Sequence, residues 1–321
     1  MRTGMTTATA KRAIRDVYGE TLAQLGRENP DVVALDADVG SSSKSIIFGK
    51  EFPARYFNVG VAEANMVAMA AGLATAGKIP FANTFAAFMV LRAADPVRSL
   101  IAYTGLNVKL AGTYAGLSDS YDGASHHAIA DMAFMRALPN MTVVSVSDPV
   151  EAELATRAVA AFKGPVYLRL SRAEVPVVLD KASYSFEIGK GVTLVEGCDL
   201  TIVATGYMLI KALEAAEILA KRGIKARVVN IHTIKPIDVG LLLQCARETG
   251  AIVTAEEHNV YGGLGSAVAE VLSRQCPVPI EFVGIEDTFT ESGDYEKLLA
   301  KYGLSAARIA ARAEVVLQRK T

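Results

Sequence analysis

The sequence has no tryptophan, only three cysteines and no long hydrophobic run. Cys198, Cys245 and Cys276 lie far apart without a C-x-x-C pair, which excludes a disulfide framework and a cysteine zinc site and indicates a reducing compartment. An apolar stretch of about 18 residues, as a transmembrane helix requires, is missing. The first residues lack the apolar centre of a signal peptide. We therefore expect a cytoplasmic protein with no membrane segment.

An excess of charge of one sign is also missing. The 33 lysines and arginines nearly balance 34 aspartates and glutamates, and no block of like charge occurs. This balance argues against a nucleic-acid or anionic-membrane surface. Neither a G-x-G-x-x-G after a strand nor a Walker A sequence is present, so nothing supports nucleotide binding. The four histidines show no spacing typical of a metal site, so the residues alone predict none.

What is present is an alternation of apolar strands with helical segments in both halves of a 321-residue chain, enough for two domains. Continuously apolar strands such as VVALDAD (32–38) and NVKLAG (107–112) are typical of a parallel sheet covered on both faces. We predict an α/β protein of two doubly wound sheet domains, at residues 1–180 and 187–321. The boundary lies in a mixed segment with scattered glycine and proline.

Two helices of the first half are predicted from their apolar residues. The apolar stripe of the first helix predicts a span from about Thr9 to Arg27. A second apolar helix is predicted over residues 84–103, where Pro96 should kink the helix or begin a new one.

Glu63 stands at the head of a predicted helix of small apolar residues, Ala64 to Ala76, after the stretch FNVGVA. A charged residue at this place is expected in or beside the core. Burial without a cationic partner favours the protonated form of a carboxyl group, which suits proton exchange with a heteroaromatic nitrogen. The simpler alternative is that Glu63 only complements the positive end of the helix dipole, and this stretch alone favours that alternative.

The loop at residues 113–127 is rich in polar groups that could contact a substrate. Asp122, Gly123, Ser125, His126 and His127 fall within six positions. Glycine next to aspartate permits a tight turn, and histidine can donate to or accept from a substrate oxygen. A polar surface loop with solvated histidines is an equally good interpretation of this spacing.

Other candidates are weaker. Phe85, Phe88 and Leu91 share one face of the predicted helix and could line a flat aromatic ligand, although such a stripe is more often core. Arg15, Ser42 and Arg172 could each hold an anionic group. Taken singly, each of these three is more often a surface residue or an ordinary ion-pair partner.

In order along the chain, these segments resemble the C-terminal half of transketolase, as found in split, two-subunit transketolases. The matching segments are RDVYGETL, LDADVGSSS, RYFNVGVAEANMVAMAAGLA, TFAAFMVLRAADPVR, SDSYDGASHH, MRALPNMTVVSVSD, YLRLSR, TIVATGYML, IHTIKPID and AEEHNVYGGLGSAVAE. No single motif is strong, but the ordered set covers essentially the whole chain and is highly specific.

The resemblance implies thiamine diphosphate as the cofactor and Glu63 as the residue that bonds and activates its pyrimidine ring. Phe85 and Phe88 match the aromatic pocket around that ring, and Asp38 is assigned to the same pocket. Leu91 stands where many relatives place a third aromatic residue, so weaker stacking is expected on that side.

The resemblance also implies a sugar site. Asp122 and His126 match residues that contact the sugar hydroxyls, and His126 is assigned a catalytic role as well. A subsite for a terminal phosphate matches Arg15, Ser42 and Arg172. Tyr114 stands where transketolases usually have a histidine in that subsite. Because tyrosine cannot carry positive charge near neutral pH, we expect a changed terminal group or sugar, such as a sulfonate or an unusual phosphate.

The family holds the diphosphate and Mg²⁺ with a G-D-G…N segment in its N-terminal half, and this chain has none. The resemblance therefore implies an N-terminal partner subunit that anchors most of the thiamine diphosphate and the Mg²⁺. The expected assembly is an α2β2 heterotetramer that is active only when both kinds of subunit are present.

Three alternatives remain open. The β subunits of 2-oxo-acid dehydrogenases have a similar length and also lack the diphosphate segment, and 1-deoxyxylulose 5-phosphate synthase shares several segments but is usually one long chain. The D-G-A-S-H-H and L-S-R segments favour a hydroxylated, anionic sugar and hence transketolase. A non-catalytic regulatory paralogue is the alternative of another class. The joint presence of Glu63, Asp122 and His126 argues against it.

Overall fold

The computed structural model describes residues 10–320 and shows an α/β protein with two main sheets, as the alternation predicts. The elements of the first half are β1 (Lys11–Ala13), α1 (Ile14–Glu28), β2 (Val32–Asp36), α2 (Gly40–Ser43), α3 (Ile46–Glu51), β3 (Tyr56–Asn58), α4 (Glu63–Thr75), β4 (Ile79–Phe85), α5 (Ala86–Leu91), α6 (Ala94–Pro96), a π-helix (Val97–Ala102), β5 (Lys109–Thr113), α7 (Asp131–Ala137), β6 (Thr142–Ser145), α8 (Pro149–Ala161), β7 (Val166–Leu170) and β8 (Glu174–Pro176). Short 3₁₀ turns also occur at Pro53–Arg55 and Gly123–Ser125.

The second half repeats the alternation with fewer strands. Its elements are β9 (Val192–Val195), β10 (Leu200–Ala204), α9 (Met208–Ala220), β11 (Ala226–Asn230), β12 (Thr233–Lys235), α10 (Val239–Thr249), β13 (Ile252–Asn259), α11 (Leu264–Gln275), β14 (Ile280–Ile285), α12 (Tyr295–Lys301) and α13 (Ala306–Gln318). In the described part of the chain, none of the helices is long and apolar enough to cross a bilayer.

The first sheet has the strand order β12-β6-β7-β5-β4-β2-β3. Strands β2 to β7 pair in parallel, and β3 and β4 lie on opposite sides of β2. The loops after β2 and β4 therefore diverge in opposite directions, and in sheets of this kind ligands bind in the crevice between such loops. Asp38 lies in the loop after β2, Ser42 lies in the short helix α2 that follows it, and β4 ends at Phe85.

The second sheet has the order β14-β13-β10-β11-β9, in which only β9 is antiparallel. All five residues of β2 are buried, as are all five of β10. Burial on both faces explains why these strands are mostly apolar in the sequence.

The two halves of the chain share structure. Strand β12, from the second half, pairs antiparallel with β6 and forms the edge of the first sheet. In α8, the buried carboxylate of Glu151 accepts hydrogen bonds from the Tyr184 hydroxyl and from Asn230 Nδ2. The residue boundaries 1–180 and 187–321 stay a prediction, but the halves are joined by a strand and by buried polar contacts.

Two predicted helices differ from the structure. Thr9 lies outside the described residues, and α1 begins at Ile14, after residues that form β1 and pair with β8. The predicted helix over residues 84–103 is also wrong in part. Thr84 and Phe85 end strand β4, and the chain after Leu91 continues as α6 and a π-helix around Pro96, which has no N–H to donate.

Candidate functional site

Glu63 is the first residue of α4 and is only 5% exposed, so the expectation of a buried carboxylate is confirmed. The turn before it contains Gly60 at φ 76°, a conformation that glycine adopts without strain. The argument for a protonated Glu63 required burial without a cationic partner, and the structure does not meet that condition. Arg92, directly after α5, donates from Nη1 to Glu63 Oε1 at 2.8 Å. This pair compensates the buried negative charge.

A cluster of aromatic rings lies next to the ion pair between Arg92 and Glu63. The guanidinium carbon of Arg92 lies 3.6 Å from the ring centroid of Phe88. The rings of Phe88 and Phe85 are 5.6 Å apart, and the ring of Phe88 lies 5.0 Å from that of His126. Phe85 ends strand β4 rather than sharing a helix with Phe88, so the predicted common helix face is wrong, although the rings do meet. Leu91 is 72% exposed and takes no part in this cluster's core.

Two arginines flank the ring of Tyr114, which stacks on Phe85 at 4.3 Å. Arg15, on α1, donates from Nη1 to the Tyr114 hydroxyl and, at 3.1 Å, to the backbone carbonyl of Ser42. The guanidinium carbons of Arg15 and Arg172 lie 5.2 and 5.0 Å from the Tyr114 ring centroid. The structure thus brings together all four residues assigned to the terminal-group subsite.

The backbone at Tyr114 is unusual. This residue follows β5 directly and has φ 60°, in the left-handed region that costs free energy for a side chain other than glycine. The turn reverses the chain into the loop at residues 113–127 and directs the ring between the two arginines.

Asp119 is a site residue that the sequence analysis missed. It is fully buried, and its Oδ1 accepts from Arg172 Nη1 at 2.8 Å. Burial, followed by the nearby Asp122 carboxylate, raises the pKa of Asp119 to about 6, against the opposing effects of Arg172 and His126. Its only sequence signal is an acid in the polar segment S-D-S-Y-D.

Three residues of the folded loop that could bind a metal ion lie close together, although the spacing of the histidines predicts no metal site. Ligand atoms of Asp119, Asp122 and His126 lie within 4.8 Å of one another. Acidic groups often cluster in this way without an ion, so we do not assign a metal site to these three residues.

Contacts with the second half hold the loop in place. His127 is buried, with Nδ1 against the Thr290 hydroxyl, so the alternative of two solvated histidines is wrong for this residue. Gly293 donates from its backbone N–H to the carbonyl of Ser120 at 2.8 Å. In His126, Nδ1 lies 3.0 Å from Ser125 Oγ.

Asp38 lies in the crevice loop after β2. Its φ is 64°, and its carboxylate accepts from Asn58 Nδ2 at 2.9 Å. The loop itself is held by buried Asp36, which accepts from the backbone of Val39 and from the Ser43 and Ser45 hydroxyls. The assignment of Asp38 to the cofactor pocket stays a prediction.

The arrangement fits half of a thiamine diphosphate site. A buried carboxylate beside two aromatic rings offers an acceptor and an apolar wall to a flat aminopyrimidine. The chain has no G-D-G segment for a diphosphate and its metal. These residues could therefore hold the pyrimidine end of the cofactor.

Comparison with known proteins agrees with this arrangement. The transketolase pyrimidine-binding domain family matches residues 10–178, and the transketolase C-terminal domain family matches residues 189–309. A putative transketolase C-terminal section from Methanocaldococcus jannaschii is 46% identical over 94% of this chain and 95% of its own length. A 6-deoxy-6-sulfo-D-fructose transketolase subunit from Clostridium sp. is 45% identical over 96% and 95%, respectively.

A solved structure is similar as well. A split-gene transketolase, described as an inactive β4 tetramer, superposes with a TM-score of 0.90 at 49% identity and covers 97% of this chain and 100% of its own. The chain therefore belongs to the transketolase family, where it matches a C-terminal section and subunits of split transketolases.

Proposed function

We propose that this chain is the C-terminal subunit of a thiamine-diphosphate-dependent transketolase. It would move a two-carbon ketol unit from a ketose with an anionic terminal group to an aldose. The observation that carries this proposal is the unbroken run of contacts from the buried carboxylate to the paired arginines. The run consists of Glu63, Arg92, Phe88, Phe85, Tyr114, Arg15 and Arg172.

The cofactor end of the site belongs to Glu63. Thiamine diphosphate, when bound, supplies the carbon nucleophile that carries the ketol unit. Glu63 would bond the pyrimidine ring, while Phe85 and Phe88 cover it and exclude water. Since Arg92 already bonds Glu63 Oε1, the ring would share the carboxylate with Arg92 or displace it.

The sugar end belongs to the loop at residues 113–127. His126 and Asp122 would orient the sugar hydroxyls and exchange protons with them, since imidazole and carboxylate groups can both accept and return a proton. Arg15 and Arg172 would hold the anionic terminal group. The sulfofructose transketolase subunit among the relatives supports a sulfonate as one candidate for that group.

A partner subunit would complete the site with the diphosphate anchor and Mg²⁺, in an α2β2 assembly. The missing G-D-G segment is the first support for this proposal. Apolar surface near Glu63 is the second, because Val61 and Leu91 are 70% and 72% exposed. The solved relative described as an inactive β4 tetramer is the third, because its chains associate without giving an active enzyme.

The test is an assay of the purified chain, alone and with its N-terminal partner subunit. We expect ketol transfer only from the two-chain complex, with a donor that carries a terminal anion. Decarboxylation of pyruvate without ketol transfer would instead support a 2-oxo-acid dehydrogenase or deoxyxylulose-phosphate synthase. A clear preference for xylulose 5-phosphate would refute the changed terminal group.

Calorimetry on the isolated chain tests the partner separately. We expect weak thiamine diphosphate binding without a Mg²⁺ requirement, because the diphosphate anchor is absent. Tight, Mg²⁺-dependent binding by this chain alone would refute the division of the cofactor site between two subunits.

A further inference from the structure

The anion subsite contains a negative charge that faces one of its two cations. Asp119 is fully buried, and its Oδ1 bonds Arg172 Nη1 at 2.8 Å. The other oxygen, Oδ2, is buried and has no hydrogen-bond partner. The guanidinium side of the pair is more open, since the Arg172 side chain is 36% exposed. A substrate anion would reach Arg172 from the exposed side while Asp119 stays behind it.

Arg15 has a different environment. Its Nη1 bonds the Tyr114 hydroxyl and the Ser42 carbonyl, which are neutral acceptors. Lys44, and not Arg15, makes an ion pair with the neighbouring Asp16. The two cations of the subsite are therefore unequal, because an internal carboxylate compensates Arg172 and neutral groups hold Arg15.

We propose that Asp119 is a specificity-determining residue that lowers the net positive charge of the terminal-group subsite and so favours singly charged terminal groups over doubly charged ones. This inference rests on the proposed sugar site. A carboxylate fixed behind Arg172 repels a dianion twice as strongly as a monoanion at the same distance. Tyr114 acts in the same direction, because it adds no positive charge.

Protonation of Asp119 modulates this effect. The charged and titratable groups that act on Asp119 are Asp122, Arg172 and His126, and buried His127 contacts its backbone carbonyl. When Asp119 takes up a proton, it no longer offsets the positive charge of Arg172, and Arg172 attracts the substrate anion more strongly. Anion binding and proton uptake by Asp119 are therefore linked, and anions should bind more tightly as the pH falls.

The test measures anion binding to the full chain by NMR titration, independently of catalysis. The probes are methanesulfonate, which stays singly charged from pH 5 to 8, and inorganic phosphate at pH 8. We expect Asp119→Asn to tighten phosphate binding about three- to tenfold, and methanesulfonate binding by a smaller factor. The matched control is Glu314→Gln, which removes an acid paired with Arg222 in the second half and should change neither affinity.

The wild-type chain supplies a second measurement in case the substitution impairs folding. Its methanesulfonate affinity should fall several-fold from pH 5 to pH 8, and Asp119→Asn should flatten that dependence. Unchanged or weaker phosphate binding in the folded variant would overturn the proposal, as would a wild-type affinity that does not vary with pH. Failure of all variants to bind either anion would overturn it too.

In the two-chain complex, the same variant should lower the KM of a phosphorylated donor relative to that of a sulfonated one. If anion binding changes as expected but the complex transfers no ketol unit from any donor, the proposed function fails while the role of Asp119 in anion selection stands.

Discussion

At the scale of single residues, the site depends on how buried charge is compensated. Glu63 is buried, but the side chain of its partner Arg92 is 47% exposed. Water can therefore solvate the guanidinium group when the carboxylate is removed. Loss of Glu63 therefore does not leave a buried cation without a partner. An unpaired buried charge is the usual cause of severe destabilisation when an ion pair is broken. The proposed role of Glu63 can therefore be tested separately from its effect on stability.

Replacing Glu63 by Gln should lower ketol transfer by the two-chain complex about 10²–10⁴-fold, because an amide cannot exchange a proton with the pyrimidine ring. Thermal melting should show a folded chain with a small change in Tm. The control is Glu20→Gln, which removes an exposed acid paired with Arg12. Intact transfer by Glu63→Gln would revive the non-catalytic paralogue.

Tyr114 allows a second test. Histidine tolerates the left-handed backbone there better than most residues and adds positive charge below about pH 6.5. Tyr114→His should therefore improve phosphorylated donors relative to sulfonated ones, more at pH 6 than at pH 8. The measurement is the ratio of kcat/KM values for the two donors.

Tyr114→Phe is the matched control, since it removes the hydroxyl bonded to Arg15 without adding charge. It should weaken both donors alike. A donor ratio that does not change in Tyr114→His would show that charge at this position does not set specificity.

At the scale of elements, the loop at residues 113–127 owes its shape to the second half of the chain. Thr290, after β14, bonds buried His127, and Gly293 bonds Ser120. Gly123 has φ 77°, and a Cβ atom there would clash with Ser292 Oγ. The segment after β14 therefore positions the residues proposed to bind the sugar.

Thr290→Val should leave a buried His127 nitrogen unpaired, at a cost of about 1–3 kcal/mol. We expect a KM for the donor several-fold higher, with kcat less affected, and faster amide hydrogen exchange in residues 113–127. Thr288→Val is the control, because Thr288 is exposed and bonds only a neighbouring carbonyl. Unchanged KM and exchange rates would show that the loop holds its shape without this contact.

At the scale of the whole molecule, buried ionisable groups join the two halves. Glu257, on β13, accepts at Oε1 from the backbone N–H of Leu117 at 2.7 Å. Arg169, on β7, donates to Asp131 and to the Glu257 carbonyl. Burial raises the pKa of Glu257 to about 7, and nearby Arg169 opposes this shift. Folding therefore shifts this carboxyl group toward its protonated form.

This shift has a definite sign. The folded pKa of Glu257 lies above its ordinary value, so its favourable contribution is complete below about pH 4.5 and is lost as the pH rises to about 7. Glu257→Gln keeps the shape and removes the titration. The variant should gain stability relative to wild type from pH 4.5 to 7, by about 1–3 kcal/mol, and no further above that.

Denaturant unfolding of both proteins at pH 5, 6, 7 and 8 measures this difference. Glu281→Gln is a control for loss of a less buried carboxylate, which pairs with Arg312 and Arg319. A stability difference that does not change with pH would contradict the assignment.

The amino-acid sequence alone was enough to predict the fold class, and its resemblance to a family pointed to residues that the structure brings close together. Apolar strands alternating with helices are local patterns, and each pattern depends on which face of an element is buried. The contact of Tyr114 with Arg15 follows from the family's ordered segments, and the structure shows it. The predicted helix at residues 84–103 is wrong at its start, because apolar composition alone does not separate the end of a buried strand from a helix.

Contacts between residues far apart in the sequence became visible only in the folded chain. Arg172 and Asp119 are 53 positions apart, and Leu117 and Glu257 are 140 apart. Three further contacts also join residues far apart in the sequence. They are the pair of Arg92 with Glu63, the pairing of β12 with β6, and the hydrogen bond between His127 and Thr290. No local periodicity encodes such pairs, because they depend on how separately formed elements pack, and burial then fixes the charge that each group prefers.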